Sequence, residues 1–287
     1  MNIHSGKNGL VANLDGHGAC GRIVWWSLQG SVTHDRLVEE LAKTGSKAPE
    51  PPSKLAALSR ACANVARERG LDCKNVRRGE WALVREPELD MADRELIYGV
   101  TATAKIVDGQ PAFQGDMSDT LRAEYDVALT QLSAAEVSAW LTSRLDRLNA
   151  VALRESGGVY FIPATTEPSW DLLIDALREC GQTGVFGVPA MKSEGAIEAI
   201  VAALTAEATA QVDGVLAELA APEDEKLGPR GLATREASLS TLLGKIEGYE
   251  KLLGAKLSEL TEKANEARIA VVTAATVVET DAQAVAQ

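Results

Sequence analysis

The chain has 287 residues, room for about two domains, and its formal charge is −12. So acidic a surface repels phosphate backbones and anionic lipid, which leaves nucleic acid and membrane outside the expected partners unless a local cationic patch draws them. Aromatic residues make up only 4% and alanine carries much of the apolar content, which favours closely packed helices over a large β-sandwich core.

Cys20, Cys62, Cys73 and Cys180 form no C-x-x-C pair and read as reduced thiols, some of them buried. The opening MNIHSGKNGLVANLDG contains no apolar stretch of the signal-peptide kind. Ile269 to Val278 is the longest apolar run, interrupted by Thr273 and Thr276, and a membrane span needs about 20 residues. Together these features predict a cytoplasmic protein.

In chain order, residues 1–20 are polar and glycine-rich and predict a flexible lead-in. Residues 21–117 predict an α+β domain with a small antiparallel sheet. RIVWWSLQG is a run of strand formers. Thr33 to Thr44 carries Leu37, Val38 and Leu41 at helical spacing and stops at Gly45. After the stiff APEPPS, Ser53 opens a second helix with Leu55, Leu58, Ala61, Cys62, Val65 and Ala66 on one face, ending at Gly70. EWALVRE and RELIYGVTATAKIVDGQPAF predict strands, with Asp108-Gly109 as a hairpin turn.

Residues 118–190 predict a small α/β section. Ser133 and Glu136 have the spacing of a capping box, opening a helix that carries Val137, Trp140, Leu141, Leu145 and Leu148. VALRE-SGG-VYFIP predicts a hairpin, Pro168 the first turn of a helix, and VFGVP a short strand.

Residues 191–287 predict a long, coiled-coil-like helical hairpin bent at APEDEKLGPRG. Ile197, Ile200, Val201, Leu204, Ala208, Val212, Val215 and Leu219 mark its first arm. The second arm carries Leu239, Ile246, Leu253, Leu260, Ala267 and Ala274 seven residues apart. Their companions begin as Leu242 and Tyr249, then drift to Leu257, Ala264 and Val271, as expected of one almost straight helix. At about fifty residues it would extend about 75 Å, roughly twice its partner, and leave apolar seam uncovered.

Gly16, Gly18 and Gly21 spell G-x-G-x-x-G, a dinucleotide fingerprint. That loop needs a strand before it and a helix after it, so that pyrophosphate meets free helix N–H groups. Here a strand follows and none is legible before, so no dinucleotide and no cofactor is expected. His17 and Cys20 supply at most two of the four ligands of a structural zinc, and no metal is expected. H-E-x-x-H, G-x-S-x-G and G-K-S/T do not occur. One cationic stretch stands out, Lys54 to Arg78, in which Arg60, Arg67, Arg69, Arg77 and Arg78 could contact phosphates.

The blocks RIVWWSLQG, LRESGGVYFIPA, PAMKSEGAIEAI, GPRGLATRE and KIEGYEKLLG, in this order from about Arg22 to Ala274, resemble an uncharacterised protein family of microbial and phage or plasmid genomes. The resemblance implies no activity and supplies no catalytic residue.

The expected function is that of a non-catalytic interaction or structural protein. It would bind a protein partner, or itself, through the C-terminal helices, at Arg230, Arg235, Tyr249, Leu253, Leu257, Val271 and Val278. Arg230 and Arg235 stand where positive charge opposes the helix dipole, so each calls for an acidic partner. A nucleic-acid accessory factor using the Lys54–Arg78 stretch is one alternative. An enzyme with an unrecognised carboxylate site is another.

Overall fold

The computed structural model describes residues 2–6, 9–13, 18–85, 88–90, 95–97, 99–222 and 227–285, with side-chain burial assigned over 18–85, 99–222 and 227–278. Strands β1 (Asn2–Gly6), β2 (Gly9–Asn13) and β3 (Ala19–Trp26) open the chain. They are followed by β4 (Ser31–Thr33), α1 (His34–Ala42), α2 (Lys54–Arg69), β5 (Asp72–Arg77), β6 (Glu80–Val84), β7 (Glu88–Asp90) and β8 (Glu95–Ile97). Next come β9 (Val100–Val107), β10 (Gln110–Gly115), α3 (Ser118–Thr130), β11 (Gln131–Ser133) and α4 (Ala134–Leu145). The remainder is β12 (Val151–Ala152), β13 (Val159–Pro163), α5 (Glu167–Glu179), β14 (Val185–Met191), α6 (Glu194–Leu219), α7 (Pro229–Leu253) and α8 (Ser258–Val285). The class is α+β, with every sheet antiparallel.

Two compact units result, each assembled from separate stretches of chain rather than from consecutive blocks. One takes Met1–Trp26, Thr142–Asp171 and Val185–Gln287; the other takes Ser27–Leu141 and Leu172–Gly184.

The first unit is built on the sheet β12-β13-β3-β14. The strand RIVWW is therefore not part of the β10-β9-β6-β5 sheet of the expected first domain; it lies between two strands of the expected middle section. Gly21 makes that pairing possible. A Cβ there would stand 2.2 Å from the Ile162 carbonyl oxygen and 2.6 Å from the Phe161 ring. On one face of the sheet Cys20, Val151, Phe161 and Ala190 join the buried rows of α6, α7 and α8 in one core. On the other, Trp26 stacks on Tyr160 at 5.2 Å and Arg22 pairs with Glu167 and Asp171.

The C-terminal helices differ from the predicted pair. The periodicity predicts one long second arm, whereas the chain breaks it at Gly254, whose φ of 70° ends α7 in the left-handed conformation. α7 has 25 residues and α8 has 28, and the two pack along each other. The drift from Leu242 and Tyr249 to Leu257, Ala264 and Val271 is the phase change across this break, not the slow precession of a straight helix. The expected bend between α6 and α7 is present, with Glu218, Gln211 and Glu207 of α6 meeting Arg235, Ser238 and Lys245 of α7 in antiparallel order, and a second bend at Gly254 folds α8 back along α7. α6 contributes Ile200, Leu204, Ala208, Val212 and Val215 to the same core.

The second unit carries the sheet β10-β9-β6-β5, covered by α2 and α3 around Leu58, Val65, Leu83, Leu121 and Tyr125. Its local punctuation follows the sequence. Ser53 Oγ accepts the Ala56 amide at 3.1 Å and Gly70 ends α2 at φ 63°. Asp108 and Gly109, both at positive φ, turn β9 into β10. At α4 the Glu136 amide donates to Ser133 Oγ at 3.2 Å while the Ser133 amide donates to Glu136 Oε2 at 2.7 Å.

The expected flexible lead-in holds β1 and β2, which pair as an antiparallel hairpin. A strand therefore does precede Gly16. Gly16 and His17 lie outside the described residues.

Candidate functional site

Tyr249 and Lys245 stand one turn apart on α7 and both reach the segment after Leu148. Asn149, at φ 52°, leaves the helical turn in the left-handed conformation and directs two successive carbonyls at α7. The Tyr249 hydroxyl donates to Asn149 O at 2.7 Å, and Lys245 Nζ donates to Ala150 O at 2.7 Å. The same ammonium pairs with Glu207 of α6 at 2.5 Å. Lys245 is only 9% exposed, so this partner is required: an unpaired ammonium at that depth would cost several kcal/mol. Burial drives the Tyr249 phenol far above its usual range, and the nearby Glu207 charge adds to the effect. Tyr249 stays neutral and serves as a donor.

Beside this latch lies a cavity of about 350 Å³, within the range of small-molecule sites. Asn149, Pro163 and Thr165 form one wall; Lys245, Gly248, Tyr249, Lys251 and Leu252 of α7 form the other. A more open groove of about 480 Å³ runs between Thr205 and Thr209 of α6 and Lys256, Ser258 and Lys263 at the start of α8.

The residues expected to bind a partner are largely interior. Tyr249, Leu253, Leu257 and Val271 are buried in the core of the first unit, and Val278 is half-buried against it. The seam seen in the sequence is an internal one, because α8 folds back and covers it. Arg235 forms a two-point pair with Glu218, Nε to Oε2 at 2.6 Å and Nη2 to Oε1 at 2.8 Å. Arg230 is exposed at the start of α7.

What remains outside is a second apolar row on α8 that the sequence reading missed. Ile269 is 63% exposed, Val272 44% and Val277 54%. Its signal was the doubling of β-branched residues after Arg268, which gives the helix apolar positions on two sides.

The cationic stretch is dispersed by its own contacts. Arg60 is half-buried and donates to Glu136 at 2.5 Å, to Gln131 O at 2.6 Å and to Ala128 O. Arg77 pairs with Glu80, Lys74 with Asp72 at 2.9 Å, and Arg67 with the Asn64 side chain at 2.9 Å. Arg69 and Arg78 are exposed. Of the five arginines, three are thus engaged within the chain.

Gly21 belongs to a strand rather than to a helix start, and Gly18 is exposed just before it. Among the described residues no group of three His, Cys, Asp or Glu could hold a metal ion. The four cysteines are free; burial pushes the Cys62 thiol up to about 12, and Cys20 donates to Ala190 O at 3.3 Å. Among the described residues α6 is the one helix long and apolar enough to cross a membrane, and its Ile200-to-Val215 row is buried in the core.

Comparison with curated proteins and with solved structures gives no match. Residues 19–282 match the model of a family of unknown function, DUF6744, which spans β3, both units and nearly all of α8. The chain belongs to this family of unknown function.

Proposed function

We propose that the protein is a non-catalytic interaction protein that binds a protein partner, or a second copy of itself, through its C-terminal helices. The observation that supports this is the outer row of α8. The inner row, from Leu257 through Val271, already fills the core, so Ile269, Val272 and Val277 are surplus to folding. Ile269 and Val272 stand three residues apart, next to each other on the outer side of α8. Exposed apolar rows of this kind mark interfaces. The free cysteines support a reducing, cytoplasmic setting.

The test is a double substitution, Ile269→Glu with Val272→Glu, on the full chain. The expected result is an unchanged melting temperature together with a loss of self-association or of partner capture, read by mass in solution and by pull-down. A variant with the same mass and the same captured partners as the parent overturns the reading.

A further inference from the structure

The cavity beside the Lys245–Tyr249 latch has features that the fold alone does not require. Its lining includes two lysines and no acidic residue, in a chain whose charge is −12. Their partner carboxylates, Glu207 and Glu247, stand outside the lining. Lys245, more than nine-tenths buried, has three N–H donors and uses two, on Ala150 O and Glu207. Among the described residues Lys251 is held by an exposed pair with Glu247 at 2.6 Å, weak enough to exchange for another anion. Thr165 adds an exposed hydroxyl.

Gly248 is the second feature. It lies inside α7, where glycine is the least favourable residue after proline. A Cβ built on it meets nothing within 4 Å. Packing does not demand glycine there, and the missing side chain leaves space along the α7 wall of the cavity. Pro163, Leu252 and the Tyr249 ring supply the apolar part of the lining, beside the polar Asn149.

We propose that this cavity binds a small organic carboxylate, its charged end on Lys245 and Lys251 and its apolar body against Pro163, Leu252 and the Tyr249 ring. A volume of about 350 Å³ suits a single ring or a short branched chain. This site is independent of the outer face of α8, so either can fail without the other.

The experiment is ligand-observed NMR on the full chain with benzoate and hexanoate, and with benzyl alcohol and hexanol as their uncharged counterparts. At least one carboxylate is expected to bind saturably at millimolar concentration, with its alcohol weaker by about tenfold or more, the worth of one charge-assisted hydrogen bond. Gly248→Leu should abolish binding while keeping the melting temperature at or above that of the parent, because leucine favours the helix and fills open space. Lys251→Gln should weaken the carboxylate and leave the alcohol unchanged. The proposal is overturned if neither carboxylate binds saturably, if acid and alcohol bind alike, or if binding survives in a folded Gly248→Leu variant.

Discussion

Arg60 of α2 and Glu136 of α4 pair at 2.5 Å across 76 positions of sequence, and Glu136 is at the same time the acidic member of the capping box with Ser133. One carboxylate thus closes a helix end and holds an arginine whose remaining donors serve the carbonyls of Ala128 and Gln131. Burial by itself would raise the Glu136 pKa, but the Ser133 amide and hydroxyl and the Arg60 guanidinium outweigh it and hold the carboxyl below its usual range. The stability it contributes is therefore complete above the unfolded-state value of about 4.3 and is lost as pH falls through the lower, folded-state value. Glu136→Gln should flatten this part of the acid-unfolding curve, measured by circular dichroism from neutral pH downward. A variant curve parallel to the parent's would refute the assignment.

The latch on α7 gives a second expectation. Tyr249→Phe leaves the Asn149 carbonyl unanswered and should cost about 1–3 kcal/mol in urea unfolding. Lys245→Met leaves the Ala150 carbonyl unanswered and removes the partner of Glu207, which is 37% exposed and stays solvated, so it should cost about 1–3 kcal/mol. Both donors anchor the same pair of successive residues, so the double variant should destabilise by less than the sum of the two. Strict additivity would mean that the two contacts act separately.

Inner and outer rows of the C-terminal helices should respond differently. Leu253→Ala removes a side chain that is 3% exposed and should cost about 2–5 kcal/mol. Ile269→Ala removes one that is 63% exposed and should change stability by no more than about 0.5 kcal/mol. Chemical denaturation of the two variants decides the matter, and equal losses would contradict the burial pattern of α8.

Gly21 and Gly18 should also part company. Gly21→Ala forces a methyl into the Ile162 carbonyl and the Phe161 ring, an overpacking cost of about 1–3 kcal/mol or more. Gly18→Ala meets nothing within 4 Å and should be silent. Titration with NAD, FAD or ATP should leave the melting temperature of the parent unchanged; a ligand-induced rise lost in Gly18→Val would restore the dinucleotide reading.

What could be read directly from the chain is what a few neighbouring residues settle among themselves. Ser53 and Gly70 bound α2, Asp108-Gly109 turns a hairpin, and Ser133 with Glu136 caps α4, because each feature is closed by hydrogen bonds or backbone angles within four residues or fewer. The helical periodicities of α6, α7 and α8 are legible for the same reason. Gly254 carried the stop signal for α7, yet a heptad pattern that continued past it concealed the break.

Partnership at long range was not legible. RIVWW is a strand in any reading, but its place between β13 and β14 depends on residues more than a hundred positions away and on a backbone approach at Gly21 that admits no side chain. Arg60 looks like one more cation until Glu136, Ala128 and Gln131 are brought to it. Val271 and Ile269 are equally apolar, and their difference arises only when α8 folds back on α7 and buries one of them. Apolar periodicity shows that a face will be covered; only the folded chain shows which neighbour covers it, because burial is a property of two surfaces and the sequence displays them one at a time.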